Sequence, residues 1–370
     1  MIFDRVDKGY SKGSIDPIEE IELNKKMSRK MSEVRAAIKS GECLYCKRKV
    51  SSFCNSHNIP QFCLENIGNN GELLGPNAIY GLPKMGVSIG KENPGIKESG
   101  TFNIICRECD SSIFQDYENP ENYLLGKTPT QRMLTQIALK NHLKYIYKRK
   151  LEIEIAKQSL KMIRPINLQS AIMIKEFSAR AHISEIDLIS YKKDFEKDKN
   201  YLETGKGSGY YLFYYKLLNY VAPIAIQTPI VVSIDLDGNV VNDVFNMDPK
   251  YEPTELHLCV FPQKNTTAVF LFIENGDKKY SRFRKQFQKL DEVSKLGVIN
   301  YLIFLYSEDY FMAKDIKTKV DLSALNEIAN RTPVIWNTSP IRDTHVLSEQ
   351  FNLSNWECIP NLLSEQYKLR

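Results

Sequence analysis

The sequence predicts an α+β protein in three successive parts, and three observations carry that reading. Two CxxC pairs bracket a turn-rich stretch near the N-terminus. A long run of alternating charged and apolar residues follows Gly126, the texture of helices. From Gly209 the texture changes to short β-branched and aromatic runs punctuated by turn residues, which read as strands. The expected division is 1–40 a basic helical leader, 41–126 a metal-braced unit, 127–208 a helical segment and 209–370 an α+β domain of unassigned role.

At 370 residues the chain exceeds one comfortable core and suits two or three domains. With 42% hydrophobic and 26% charged residues it has a globular composition, and no apolar run is long enough for a membrane span. The start, "MIFDRVDKGYSKGS", carries charges where a secretory signal would place its apolar core, so a cytoplasmic location with reduced cysteines is expected.

The leader "SIDPIEEIELNKKMSRKMSEVRAAIKSGE" opens with a capping Asp16 and a proline at the first turn, so one or two helices should lead into the cysteines. Between Asn24 and Val50 nine basic residues, Lys25, Lys26, Arg29, Lys30, Arg35, Lys39, Lys47, Arg48 and Lys49, face only Glu33 and Glu42. Such a patch attracts a phosphate backbone, although a basic helix face is more often a solvated surface. We take Lys25, Lys26, Arg29, Lys30, Arg35, Lys47, Arg48 and Lys49 as candidate substrate contacts.

Cys43 and Cys46 in "ECLYCKRK", and Cys106 and Cys109 in "NIICRECDSS", each present two thiolates at the spacing of a zinc knuckle. Together they complete the four-sulfur shell of a structural Zn2+ site. The remaining cysteines, Cys54, Cys63, Cys259 and Cys358, have no partner at ligand spacing and are expected to be buried. Of the histidines only His57 lies inside the bracket. His142, His182, His257 and His345 have no partner at ligand spacing and receive no chemistry.

The order CxxC, then "SHNIPQFCL", then an asparagine and a second CxxC followed at once by a polar residue resembles the HNH endonuclease family in its zinc-stapled form. The resemblance covers residues 41 to 120, and it implies a ββα-metal unit holding one divalent ion. The HxxP step from His57 to Pro60 matches the family's turn out of the first strand. Asn103 matches the middle asparagine, and Asp110 falls where the family places its last histidine or asparagine.

The resemblance assigns His57 as the base that takes a proton from water, Asp110 as an oxygen ligand to a catalytic Mg2+ or Mn2+, and Asn103 as the residue holding the loop and, through it, the imidazole tautomer. Those roles suit phosphodiester hydrolysis. One departure is that Ser56 stands where the family has an acidic metal ligand; its hydroxyl can ligate a hard ion but brings no charge. Asn55, Asp116 and Glu118 are the alternative oxygens, the last two expected on the following helix. The turn-rich stretch 65–100 should be a loop or short hairpin, either shaping a substrate groove or making a plain surface excursion.

A second basic run, "LKNHLKYIYKRK" at 139–150, interleaves cations with tyrosines and could clamp a strand. Farther on, "TPIVVSIDLDGNVVNDVF" reads as two strands across an Asp-Gly turn, and "TELHLCVFPQKNTTAVFLFIE" as two more. "KYSRFRKQFQKL" and "KLGVINYLIFLYSEDYFMAK" read as helix-rich, the second apolar enough to be buried.

The expected function is therefore a metal-dependent HNH-type endonuclease acting on nucleic acid, DNA ahead of RNA. The alternative is a catalytically inactive zinc-dependent module that binds nucleic acid or protein. By analogy of architecture alone, an HNH unit joined to an unrelated C-terminal domain fits a bacterial phage-defence effector, with a protein partner or activating signal received by that domain. No membrane partner is expected.

Overall fold

The computed structural model describes residues 25, 29–77, 88–92, 95–124, 126–244, 246, 248, 250–329 and 344–370. Asp16 and most of the leader, together with Lys26, lie outside the described residues. Residues 29–37 form helix α1, whose basic side chains are exposed. The other elements are β1 (Ser56–His57), α2 (Gln61–Ile67), β2 (Leu74–Asn77), β3 (Ser88–Glu92), β4 (Thr101–Phe102), α3 (Arg107–Ile113), α4 (Gln131–Met162), α5 (Leu168–Thr204), β5 (Tyr210–Leu218), β6 (Ile224–Ile230), β7 (Leu256–Pro262), β8 (Thr267–Glu274), α6 (Ser281–Lys289), α7 (Glu292–Tyr306), β9 (Tyr310–Met312), α8 (Leu322–Ala329) and α9 (Thr344–Gln350). The fold is α+β.

A seven-stranded antiparallel sheet, in the order β3-β2-β9-β6-β7-β8-β5, forms the middle layer. Successive side chains of a strand point to opposite faces, and β7 shows the result. Leu256, Leu258 and Val260 join one apolar cluster with Ile299, Leu302 and Ile303 of α7. Cys259 and Phe261 join the other, with Leu134, Ile137 and Leu143 of α4 and with Cys63, Cys106 and Cys109 of the cysteine-rich unit. Both faces are covered, so β6 and β7 are buried along their whole length. Pro229 is tolerated in β6 because β9 pairs only with Ile224 to Ile226, leaving the strand a single partner at that position.

The helical middle segment is a long antiparallel pair. Thr130 caps α4, its hydroxyl accepting from the Met133 amide at 3.3 Å. Asn167 and Ser170 form a capping box on α5, and Gly205 ends that helix in the left-handed region at φ 70°. The buried α7 begins at Asp291, which accepts from the Ser294 amide at 2.8 Å. Within α7, a Cβ on Gly297 would lie 2.3 Å from the Trp356 ring, so only glycine lets that indole pack.

Several elements differ from the sequence reading. The 65–100 stretch begins as the end of α2 rather than as loop, and the short hairpin expected there, β2–β3, joins the edge of the large sheet. The Asp-Gly segment forms one strand, β6, and a turn. Asp235 accepts from the amides of Asp237 at 3.0 Å and Asn239 at 2.9 Å, and a single Ile234–Val240 bridge replaces the second strand. The apolar run after Lys295 is buried as expected, but it includes strand β9 as well as a helix. No helix among the described residues is long and apolar enough to cross a membrane.

Candidate metal centre and neighbouring acidic pocket

Cys43, Cys46, Cys106 and Cys109 converge, their sulfur atoms all within 4.8 Å of one another. The first knuckle closes through the Cys43 amide on the Arg48 carbonyl and the Lys47 amide on the Cys43 carbonyl, both 2.9 Å, with Lys47 in the left-handed region at φ 60°. The second knuckle is the start of α3, where Cys106 is the N-cap and its sulfur accepts from the Cys109 amide at 3.5 Å. The Cys43 sulfur accepts from the Cys106 amide at 3.2 Å, tying the two knuckles together.

A tetrahedral zinc with bonds of about 2.3 Å places its sulfurs about 3.8 Å apart. Cys46 and Cys106 are 3.9 Å apart. The donor set and spacing therefore fit a structural metal such as zinc. The electrostatics agree, because gathering four thiols disfavours ionising them unless a cation shares the charge. Burial and the neighbouring sulfurs push the Cys109 thiol well up, and burial raises Cys43. At Cys46 burial is the largest single influence and pushes upward, but the Arg48 guanidinium 3.3 Å from the sulfur, the Arg48 amide and hydrogen bonds from Cys43 and Cys109 together outweigh it, and the thiol falls to about 6.

Between the knuckles the chain makes two short strands, β1 and β4, paired antiparallel with Ser56 opposite Phe102 and His57 opposite Thr101. The pairing is extended by the Cys54 amide on the Ile105 carbonyl at 2.9 Å and the Asn58 amide on the Gly100 carbonyl at 3.1 Å. Gly100, at φ 67°, has the Phe311 ring 3.0 Å from where a Cβ would stand. Helix α3 follows β4, while α2, β2 and β3 lie between β1 and β4 in the chain.

Adjacent strand residues diverge, and Ser56 and His57 do so here. Ser56 is fully buried and its hydroxyl donates a short hydrogen bond to Asp110 Oδ1. His57 is half-buried, with Nε2 2.8 Å from the Ile96 carbonyl. Nε2–H donates to that oxygen, which leaves the lone pair on Nδ1 as a proton acceptor. Asn103 donates to the Cys54 carbonyl at 3.0 Å and to Asn55 Oδ1 at 3.3 Å, in the stretch leading into β1, and makes no hydrogen bond to the His57 ring, whose partner is the Ile96 carbonyl.

Asp110 is the hub of the pocket, and its most consequential partner was invisible in the sequence. Lys140 of α4, 1% exposed, places Nζ 2.7 Å from Asp110 Oδ1 and 3.0 Å from Glu118 Oε1. The ammonium also lies 4.0 Å from the centre of the Phe114 ring. Cys54, half-buried rather than buried, donates to Asp110 Oδ2 at 3.3 Å. Burial raises the Asp110 carboxyl, but Lys140, Ser56 and Cys54 together outweigh it and hold the group below the usual carboxylate range. In the same pocket burial and the Asp110 charge push the Cys54 thiol up to about 11.

The other expected residues are placed as follows. Asp116 and Glu118 lie beyond the end of α3 rather than on it; Asp116 pairs with Arg132 at 2.8 Å. Asn55 donates to the Lys97 carbonyl at 2.8 Å. Lys25, Arg29, Lys30, Arg35, Lys47, Arg48 and Lys49 are exposed. Arg48 is held by Glu108 at 2.6 Å, and Lys30 by Glu33 at 2.9 Å. Cys63 and Cys259 are buried, whereas Cys358 is exposed. The 139–150 run is not a cationic surface. Lys140 and Lys144 are buried, Lys144 pairs with Asp309 at 2.6 Å, and Arg149 pairs with Glu152 at 2.5 Å and Asp187 at 2.9 Å.

No protein-family profile matches the chain, and no curated protein or solved structure does. The site must therefore be read from its own geometry.

Proposed function

We propose that residues 41–126 form an HNH-like nuclease centre acting on nucleic acid, with DNA as the first substrate to test. The observation that carries this reading is the joining of Ser56 on β1 to Asp110 on α3, with His57 the next residue of β1 and Cys109, of the four-cysteine cluster, the residue before Asp110. In this reading His57 accepts a proton from water through Nδ1, while the Ile96 carbonyl keeps the ring oriented. Asn103 fixes the backbone leading into β1. Asp110 and Ser56 supply the oxygens that would hold a Mg2+ or Mn2+ ion. When bound, that ion supplies positive charge to the phosphate and the departing oxygen. The exposed cations of residues 25–49 would meet the phosphate backbone.

Lys140 favours a second reading. Its ammonium already pairs with Asp110 and Glu118, offsetting one of their two charges, so a divalent ion has to compete for those oxygens. A zinc-braced module that binds nucleic acid or protein without cutting is the alternative, with Lys140 as a permanent counter-ion.

The deciding experiment incubates the purified protein with plasmid DNA and with RNA across divalent ions. Metal-dependent cleavage that falls roughly 10² to 10⁴-fold in His57→Ala supports the nuclease reading. Asp110→Ala should fail differently, regaining part of its activity at high manganese, and Ser56→Asp should tighten metal binding. Cleavage by wild type that His57→Ala leaves unchanged would remove His57 from the mechanism. Binding without cleavage under every ion would establish the second reading.

A further inference from the structure

A second group of ligand side chains lies where the long helices meet the sheet, away from the cysteines. His142 comes from α4, Glu255 immediately precedes β7, and His257 is the second residue of that strand. Glu255 and His257 are two apart in extended chain, so both project from the same face, toward α4. One ligand atom from each lies within 4.8 Å of the others, and His142 Nε2 is 3.2 Å from Glu255 Oε2. We propose that His142, Glu255 and His257 form a second metal site, taking a first-row divalent cation of which zinc is the expected occupant.

Two further features of the geometry point the same way. A ligating imidazole needs its other ring nitrogen held, so that the right lone pair faces the metal. His142 Nδ1 is 2.7 Å from Asp198 Oδ2, and Asp198 is itself fixed on its other oxygen by the Tyr210 hydroxyl at 2.9 Å. As placed, the side-chain amide nitrogen of Asn141, the residue preceding His142, lies 3.1 Å from His257 Nδ1 and donates to it; turning that amide by 180° exchanges its nitrogen and oxygen. With the Asn141 oxygen toward the ring, Nδ1–H donates and Nε2 is left bare. The 3.3 Å contact of Asn141 with Gln227 survives that turn if both amides reverse together. In His142 as placed, and in His257 once the Asn141 amide is turned, Nδ1–H donates to a neighbour and Nε2 faces a ligand.

The rings are also immobilised. His257 stacks on Phe272 at 4.6 Å and meets Tyr210 edge-on at 5.3 Å. Two imidazoles and one carboxylate suit zinc and its transition-metal neighbours rather than magnesium or calcium, which prefer oxygen alone. Three protein ligands leave a fourth position, and the Glu255 side chain, 16% exposed, gives an ion a route from solvent. The competing occupant is a proton on His142. Burial opposes that proton, but Asp198 and Glu255 outweigh burial and lift the group to about 10.

The test counts metal site by site on the full chain. Wild type, Cys106→Ser, Glu255→Gln and His257→Gln are loaded with Zn2+, desalted, and assayed for zinc per chain by mass spectrometry. Glu255→Gln and His257→Gln should each lower the count by about one, with the cysteine-bound ion retained. Loading with Co2+ separates the centres by their spectra. Cys106→Ser should lose the thiolate charge-transfer absorption and keep a ligand-field band that His257→Gln abolishes. If either histidine-site variant fails to fold, wild-type cobalt still decides, because the site requires one bound Co2+ without thiolate absorption. Equal zinc in wild type and both variants, or wild-type cobalt confined to thiolate ligands, would overturn the proposal and leave the trio to its proton. The readout is a difference between variants, so it stands whether or not the cysteines prove to hold zinc or the protein proves to be a nuclease.

Discussion

Replacing Lys140 with methionine tests the acidic pocket most directly, because it keeps the side-chain volume and removes only the charge. In the wild type Nζ is 2.7 Å from Asp110 and 3.0 Å from Glu118 and is almost sealed from water. Breaking a buried pair by deleting one partner costs about 3–5 kcal/mol, since the other charge stays behind unpaired. Spread over an unfolding entropy of about 2.1 cal/mol/K per residue, that is a fall of about 4–6 °C in Tm at neutral pH. The pH dependence has a definite sign. Asp110 titrates below its ordinary value when folded, so its contribution is complete above about pH 4 and is lost as pH falls through the acid range. Lys140→Met removes the main force lowering that pKa, so wild type and variant should converge on acidification. The variant should also gain from manganese, because Asp110 and Glu118 become free for a divalent ion, whereas wild type gains less. Differential scanning fluorimetry across pH and Mn2+ measures all three effects. An unchanged Tm at pH 7 together with no extra manganese response would refute the view that Lys140 is the pocket's resident cation.

Three other outcomes are expected. Cys106→Ser should lose the cysteine-bound zinc and destabilise the protein by several kcal/mol, visible by metal analysis and denaturation; zinc-free yet equally stable wild type would count against the site. Reversing the charges of Arg35, Lys47 and Lys49 should flatten the salt dependence of nucleic-acid binding by about one unit per lost phosphate contact, and an unchanged slope would return this exposed face to solvation. Gly297→Val should unfold the contact with Trp356, lowering Tm by several degrees and changing tryptophan fluorescence, because no room exists for even a Cβ.

What was legible in the sequence was local. The two knuckles could be read because each pair of ligands is separated by two residues, and β7–β8 because a turn joins strands that pair with each other. Asp110 could be placed beside the cysteine cluster because it follows Cys109 directly. Lys140 could not, since thirty residues and a change of helix separate it from Asp110. The basic run around it reads as an open surface, but its lysines find carboxylates remote in sequence, Lys144 with Asp309 and Lys148 with Glu308, while Arg149 also has a near one in Glu152. His142 shows no ligand partner in the sequence for the same reason, as its neighbours Glu255 and His257 lie more than a hundred positions away. The false second strand after β6 failed for another reason, because Asp235 satisfies the local amides with its own carboxylate and the chain needs no ladder partner there.

The insertion between the two cysteine knuckles also has a consequence for how the chain is completed during synthesis. Its hairpin, β2–β3, finds its neighbour in β9, where Leu74 pairs with Met312. A ribosome delivers the four cysteines and the hairpin long before residue 312 emerges, and at about 5–20 residues per second the delay is tens of seconds at the slow end. During that interval the outer flank of β2 is an unpaired edge, open to any other extended segment, including the same hairpin on a neighbouring nascent chain. Early capture of a metal by the cysteines would close the loop that carries the hairpin and shorten its reach, so metal supply at the moment of translation would bear on yield as well as on the finished fold.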